Sequence, residues 1–330
     1  PRLGVGYPIT DRTAFHFSYG QFYQFPDLVN MYNYSNYQGE GISPPGWSEE
    51  ANDLAKDFLY GNPYYPFPYN ITDWYIPEVG TPNVKPQRSV QYETGLRTRI
   101  GNQYLLTANL YYKDMFDYIA SKRYDADPSQ YAIYENMDYA NSRGLEITFQ
   151  RLFSSGLDWE TNYTLSRAEG NAPTSDYHWY VAEWANGYDW RDFNHTYTMP
   201  WDQTHNINFR LNYIHQSRLG LSMIGNYGSG FPYTPEDARA RPIDKQYSGR
   251  MPSTSNTNLK FFYDKKMMGY DVRFFADITN LFNKENVLAV DNTTGEPDAT
   301  LDSGQSPMIV WKPYYISAPR HIELGISISR

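Results

Sequence analysis

The sequence predicts an all-β protein: a transmembrane antiparallel β-barrel with short periplasmic turns and long extracellular loops. Apolar and polar residues alternate with a period of two through eleven segments. The connections between those segments are short and long by turns. Aromatic residues are abundant, with 33 Tyr, 17 Phe and 8 Trp making up 18% of the 330 residues. Period-two alternation is the mark of a strand with two unlike faces. In a membrane barrel the apolar face meets lipid and the polar face an aqueous lumen. Tyr and Trp suit the two interfaces, where one end of the ring is dry and the other wet.

The first strand spans about 2–9, with Leu3, Val5, Tyr7 and Ile9 on one parity. Thr10 and Asp11 turn it into a second at 12–25, where Phe15, Phe17 and Tyr19 share a face. A loop over 26–87 follows, rich in Tyr, Pro, Gly and Asn. The third strand (88–100) sets Val90, Tyr92, Leu96 and Ile100 against Gln91, Glu93, Arg97 and Arg99. "GN" at 101–102 leads into the fourth (103–113), with Tyr104, Leu106, Ala108, Leu110 and Tyr112 on its apolar side. Eight residues at ~3.3 Å rise and ~45° tilt separate Tyr104 from Tyr112 by roughly 19 Å along the normal, near the ~25 Å band between aromatic girdles.

After a loop at 120–135 comes a fifth strand (136–152) with Leu145, Ile147 and Phe149, then "SSG" and a sixth (157–168) with Leu157, Trp159, Tyr163 and Leu165. A loop at 171–204 leads to the seventh, "NINFRLNYIHQ" (206–216), which alternates strictly. "SRLG" turns it into the eighth (219–230), and a loop at 233–253 precedes the ninth (256–266). "MMG" opens the tenth, where Val272, Phe274, Ala276 and Ile278 alternate with Asp271, Arg273, Asp277 and Thr279. A last loop (284–318) precedes "HIELGISISR", with Ile322, Leu324, Ile326 and Ile328 on one face. The strands run mostly about 10–15 residues, longer than the ~5–6 of globular strands. A soluble sandwich also has mixed loops at both ends. It predicts neither the length nor the asymmetry.

Bulk properties exclude other classes. No run of 18 apolar residues occurs, which rules out a transmembrane helix but not a barrel, whose apolar residues are diluted by alternation. A net charge of −9 argues against a nucleic-acid partner. The absence of Cys suits an oxidising compartment and carries little weight.

Several stretches resemble the C-terminal barrel of TonB-dependent outer-membrane receptors. They are "NVKPQRSVQYETGLR" (83–97), "SRGLEITFQ" (142–150), "WDQTHNINFRLNY" (201–213), "SGFPYTP" (229–235), "ITNLFNKENV" (278–287) and "PRHIELGISI" (319–328). Each is weak singly, but they fall in the family's order along the whole chain. The resemblance implies TonB-energised uptake of a scarce nutrient (siderophore, cobalamin, oligosaccharide or peptide) across the outer membrane of a Gram-negative bacterium. It implies a 22-stranded barrel with an N-terminal plug, and as partners the lipid bilayer, the TonB complex and a surface lipoprotein. Eleven strands cannot close an antiparallel barrel without a parallel pair, and an open edge in lipid leaves backbone groups unsatisfied at several kcal/mol each. The last residue is Arg330 rather than the aromatic usual in such closing strands. Residues 1–330 are therefore expected to be the C-terminal half of the barrel, with the plug and the first half outside this sequence.

Two alternatives come from other classes: a passive porin-like channel, and an outer-membrane barrel enzyme of the protease or lipase type. An enzyme needs a His with an acidic partner or a Ser near the outer rim. The six His are scattered, and only His195 lies near acids, Asp189 and Asp192, in a stretch that reads as solvated loop. His205 reads as a structural hydrogen-bonding residue at a strand start. No catalytic residue and no resident cofactor are expected. "DNTTGEPDATLDSG" (291–304) lacks the EF-hand ligand order, leaving a loose loop-bound Ca²⁺ as the one metal reading. "SEEANDLAKDFLYG" (48–61) predicts a helix capped by Ser48 and ended by Gly61.

Recognition is expected from "DYHWYVAEWANGYDWRDF" (176–193), with Tyr177, Trp179, Tyr180, Trp184, Tyr188, Asp189, Trp190 and Arg191 as ligand-contact candidates. Aromatic faces suit sugar rings, peptides or planar chelates. The same rings could equally pack the loops against one another. Asn208, Arg210, Asn212, Arg273 and Asp277 are expected to face the lumen.

Overall fold

The computed structural model of the chain describes residues 1–32, 78–124, 131–171, 196–237, 246–301, 308–311 and 315–329. Among them, eleven long strands make one sheet: β1 (Arg2–Pro8), β2 (Thr13–Gln24), β3 (Gln87–Ile100), β4 (Tyr104–Tyr124), β5 (Tyr131–Ser154), β6 (Leu157–Gly170), β7 (His205–His215), β8 (Leu219–Gly228), β9 (Thr254–Met267), β10 (Tyr270–Thr279) and β11 (His321–Ser329). Their order in the sheet is their order in the chain, and every step between neighbours is antiparallel. The eleven predicted strands are all present.

Register explains why each strand keeps its parity. Trp159, Leu211, Met223, Leu259, Ile278 and Ile322 lie opposite one another across β6 to β11. One position along, the same strands align Asp158, Asn212, Ser222, Lys260, Asp277 and Glu323. A slip of one residue in any strand would carry its charges into the apolar row, so register is strongly specified. The apolar face is uncovered by protein, with Leu324 74% and Ile326 62% exposed. Soluble monomers rarely leave so continuous an apolar surface open. Ile214 and Ile224 depart from the pattern, since they pair with Gly220 and Arg210 on the polar side.

Five tight turns join β1–β2, β3–β4, β5–β6, β7–β8 and β9–β10. Two are two-residue turns with both central residues at positive φ: Ser155 (52°) with Gly156 (79°), and Met268 (52°) with Gly269 (82°). That conformation follows the strand twist and favours glycine. At Gly156 space also decides, because a Cβ would stand 2.1 Å from the Ile214 carbonyl oxygen.

The connections at the other end carry local structure of their own. A short helix, Leu28–Tyr32, follows β2. Residues 232–233 pair with 249–250, and 298–301 with 308–311. The predicted helix at 48–61 lies outside the described residues.

The expected loop at 120–135 is corrected by the structure: β4 and β5 continue through it as a projecting hairpin, and only 125–130 fall between them. A bulge near Met115–Tyr118, with Asp117 at φ 60°, resets the register there. Asn136 secures it by donating to the carbonyls of Asp117 (2.7 Å) and Lys85 (2.9 Å). Beyond the bulge the strands carry mixed polar residues such as Lys122 and Glu135, 3.3 Å apart, so hydropathy alternation fades while backbone pairing persists. A hydrogen bond to Tyr124, reinforced by Glu135, holds the Lys122 ammonium above the usual lysine range. Val84, Ile119 and Tyr134 form a small buried cluster against Met31, which packs the hairpin onto the returning loop.

The topology makes a direct prediction. Labels at Gly101 and Gly156 should report one side of the membrane, and a label at Asn186 the other. All three reporting the same side would overturn it.

Candidate functional site

Alternation puts one side chain in two on the polar face, and the register then brings charges from different strands together. Arg210 on β7 reaches Asp158 (3.3 Å) and Glu160 (3.8 Å) on β6. Asn212 donates to Asp158 (3.1 Å) and accepts from Ser222 (2.8 Å). Asn208 donates to Asn206 (2.7 Å). Farther along, Lys260 pairs with Asp277 at 2.6 Å. Arg273 makes two parallel hydrogen bonds to Asp264, 2.7 and 2.8 Å, and its guanidinium lies 4.4 Å from the Phe262 ring centroid. All five residues predicted to face a lumen, Asn208, Arg210, Asn212, Arg273 and Asp277, thus share the polar face. They make separate contacts along the face rather than one site.

At the long-loop end, buried polar side chains tie the returning loops to the strand tops. Asp202 is the tightest knot, with its side chain 1% exposed. Its carboxylate accepts from the Ala168 amide at the top of β6 (2.6 Å) and from Arg250 Nη2 (2.6 Å). Arg250 Nη1 also donates to the carbonyls of Asp202 (3.0 Å) and Gly230 (3.2 Å). Gln203 beside it donates to the Ser229 carbonyl (3.1 Å) and accepts from Asn206 (2.6 Å). Four chain segments therefore meet at "WDQTH". His205 bonds the Tyr163 hydroxyl through Nδ1 at 3.0 Å, the structural part expected of it.

A second knot explains "ITNLFNKEN". Asn280 and Asn283 take φ of 54° and 52°, the left-handed region that asparagine tolerates. Asn280 accepts from the Lys284 amide (2.9 Å) and donates to the carbonyls of Lys284 (3.0 Å) and Ala318 (3.2 Å). Asn286 accepts from the Ser255 amide (2.7 Å) and donates to its carbonyl (2.9 Å), as a strand neighbour would. Buried backbone groups need partners, and these side chains supply them where the ladder ends.

The structure also shows a cavity of about 220 Å³ at the tops of β2, β3 and β4, lined by Phe22, Gln24, Gln87, Ser89, Lys113 and Met115 among others. It went unnoticed in the sequence because its walls come from three strands. Asp202 and Arg250 were missed as well. Asp202 lies inside a family-like segment, but nothing local marks Arg250 as its partner.

The ligand-contact candidates Tyr177, Trp179, Tyr180, Trp184, Tyr188, Asp189, Trp190 and Arg191 lie outside the described residues, as does His195. Among the described residues no group of three or more His, Cys, Asp or Glu is placed to hold a metal. In the stretch proposed for Ca²⁺, Asp291 turns inward on its own loop and accepts from the Thr293 amide (2.9 Å) and hydroxyl (2.6 Å).

No curated protein matches the sequence. Solved structures do resemble the fold. The outer membrane transporter YddB from Escherichia coli is similar over 98% of this chain and 39% of its own, at 10% identity and a TM-score of 0.58. The ferric enterobactin receptor PfeA from Pseudomonas aeruginosa, solved as a mutant with enterobactin, is similar over 99% and 40%, at 15% identity and a TM-score of 0.57. The FrpB iron transporter from Neisseria meningitidis follows over 99% and 38%, at 12% and 0.53. The chain spans about two fifths of the length of these proteins. Residues 1–281 match the family described as TonB dependent receptor-like, beta-barrel, and the chain belongs to this family of Gram-negative outer-membrane receptors.

Proposed function

We propose that the chain is the C-terminal half of the barrel of a receptor for TonB-energised uptake of a scarce nutrient: a siderophore, cobalamin, an oligosaccharide or a peptide. Members of the family are transporters rather than enzymes. In this reading a plug and the first half of the barrel complete the protein, TonB acts on the plug side, and a surface lipoprotein is a further partner. The observation that carries the reading is the anchoring of the outer loops. Buried knots at Asp202 and Asn280 hold loop ends onto the strand tops, which fits a surface built for binding.

Arg210, Lys260 and Arg273 are each taken up by carboxylates on the polar face. We assign that face, with Asn208, Arg210, Asn212, Arg273 and Asp277, to the lumen. The aromatic residues Tyr177, Trp179, Tyr180, Trp184, Tyr188 and Trp190, with Asp189 and Arg191, are the proposed ligand contacts in an extracellular loop. A loose Ca²⁺ at 291–304 is kept only as a loop-ordering ion.

The test uses the full-length receptor and radiolabelled ferric siderophores, cobalamin, oligosaccharides and peptides. Uptake of one class should cease in cells lacking TonB, whereas a passive pore is indifferent to TonB. Deleting 176–193 should abolish high-affinity binding of that class and leave the barrel folded by heat-modifiable migration. Unchanged uptake in the deletion would show that the loop only packs.

A further inference from the structure

On the apolar face the lipid-compatible run of β5 and β6 ends in Leu145 and Leu165, which lie opposite each other. The next residues outward on the same face are Arg143 and Arg167, again directly opposite. Ten residues at ~3.3 Å rise and ~45° tilt put Arg167 roughly 23 Å above Leu157, the height of the ~25 Å apolar band. The same cross-strand row continues through Tyr112 to Tyr92, residues suited to a membrane interface.

Like charges directly opposite across strands are destabilising. This pair shares a single carboxylate, Glu169, 17% exposed, with Arg143 at 2.9 Å and Arg167 at 2.5 Å. Arg143 also donates to Asn141 (3.0 Å). A second carboxylate at this level, Asp114, accepts from the Tyr139 hydroxyl (2.7 Å). A third cation, Arg88, stands over the Phe116 ring at 4.8 Å. Among the described residues, three guanidiniums thus stand beside two carboxylates. The Arg143 and Arg167 side chains remain 45% and 61% exposed on the side turned to lipid.

We infer that Arg143 and Arg167 form a clamp for a phosphate group of an outer-leaflet lipid. A phosphate complements the surplus positive charge, and the planar guanidinium matches its oxygens bidentately. Its height fits as well, because a headgroup phosphate sits where the acyl chains end. The inference rests on the outer-membrane placement of the apolar face and adds a lipid partner independent of the transported nutrient.

The experiment uses the full-length receptor in detergent, with native mass spectrometry counting bound lipid. The probes are bisphosphorylated lipid A, its monophosphorylated and dephosphorylated forms, and inorganic phosphate. Wild type should bind less lipid as phosphates are removed, and millimolar inorganic phosphate should not displace it. R143Q/R167Q should bind bisphosphorylated lipid A at least tenfold more weakly, and R143K/R167K should fall between. Equal binding by the double variant, or equal binding of dephosphorylated lipid, would overturn the clamp. If the double variant does not fold, R167Q alone should lose about threefold, and no loss there overturns it equally. A nitroxide at Leu165→Cys separates the two readings. A label without lipid exposure sinks the membrane placement, whereas lipid exposure with unchanged lipid A binding sinks only the clamp.

Discussion

Leu211→Arg is expected to destabilise the full-length barrel by about 2–4 kcal/mol, the usual cost of a cation on the lipid face near the bilayer midplane. Leu211 lies between Trp159 and Met223 in the apolar row, so an arginine there has no carboxylate directly across from it on either side. Asn212→Arg, one residue on, should cost about 1 kcal/mol or less. It gives up the hydrogen bond from Ser222 but places its guanidinium beside Asp158, which already accepts from Asn212 at 3.1 Å. Urea titration of the receptor refolded in lipid vesicles measures both. Equal costs would put the two faces in the same medium and return the sheet to the soluble-sandwich class.

Arg250→Met should cost about 3 kcal/mol, at the lower end for a broken buried ion pair because Arg250 itself is 39% exposed. The loss arises at Asp202, whose carboxylate would stay buried with only the Ala168 amide and a long contact from Thr204 (3.4 Å) to offset its charge. Asp202→Asn removes that charge and keeps the shape. The double variant D202N/R250M is therefore expected to be more stable than R250M alone. Hydrogen exchange at 196–204 and 246–253 should quicken in R250M and recover in the double variant. Costs that simply add would show the pair to be uncoupled, since coupled neighbours deviate by 0.5–3 kcal/mol.

The parity of each wall strand was legible in the residues because a membrane wall imposes a two-valued environment at every position. Leu211 and Asn212 need no knowledge of their neighbours to be sorted. Turns such as 155–156 were legible for a related reason, since positive φ at both central positions narrows the choice of residue. The projecting hairpin was not, because its apolar residues Ile119 and Tyr134 are buried against Val84 of the returning loop rather than along a lipid face. Lys122 and Glu135 interrupt the apolar parity there, and the pairing rests on backbone hydrogen bonds that any sequence can make.

The sequence by itself determined which face of each strand is apolar, the order of short and long connections, and through its motifs the family. Only the tertiary structure decided which side chains close the rim and how charges on the polar face are shared. Asp202 finds Arg250 forty-eight residues away, and Asn280 meets Ala318 thirty-eight residues away. Arg143 stands opposite Arg167 because the turn at 155–156 and the register shift between Arg151 and Ser154 together set the pairing. Periodicity is a local property that the solvent on each face writes into consecutive residues. A hydrogen bond between distant segments depends on register and loop return, and no local pattern records it.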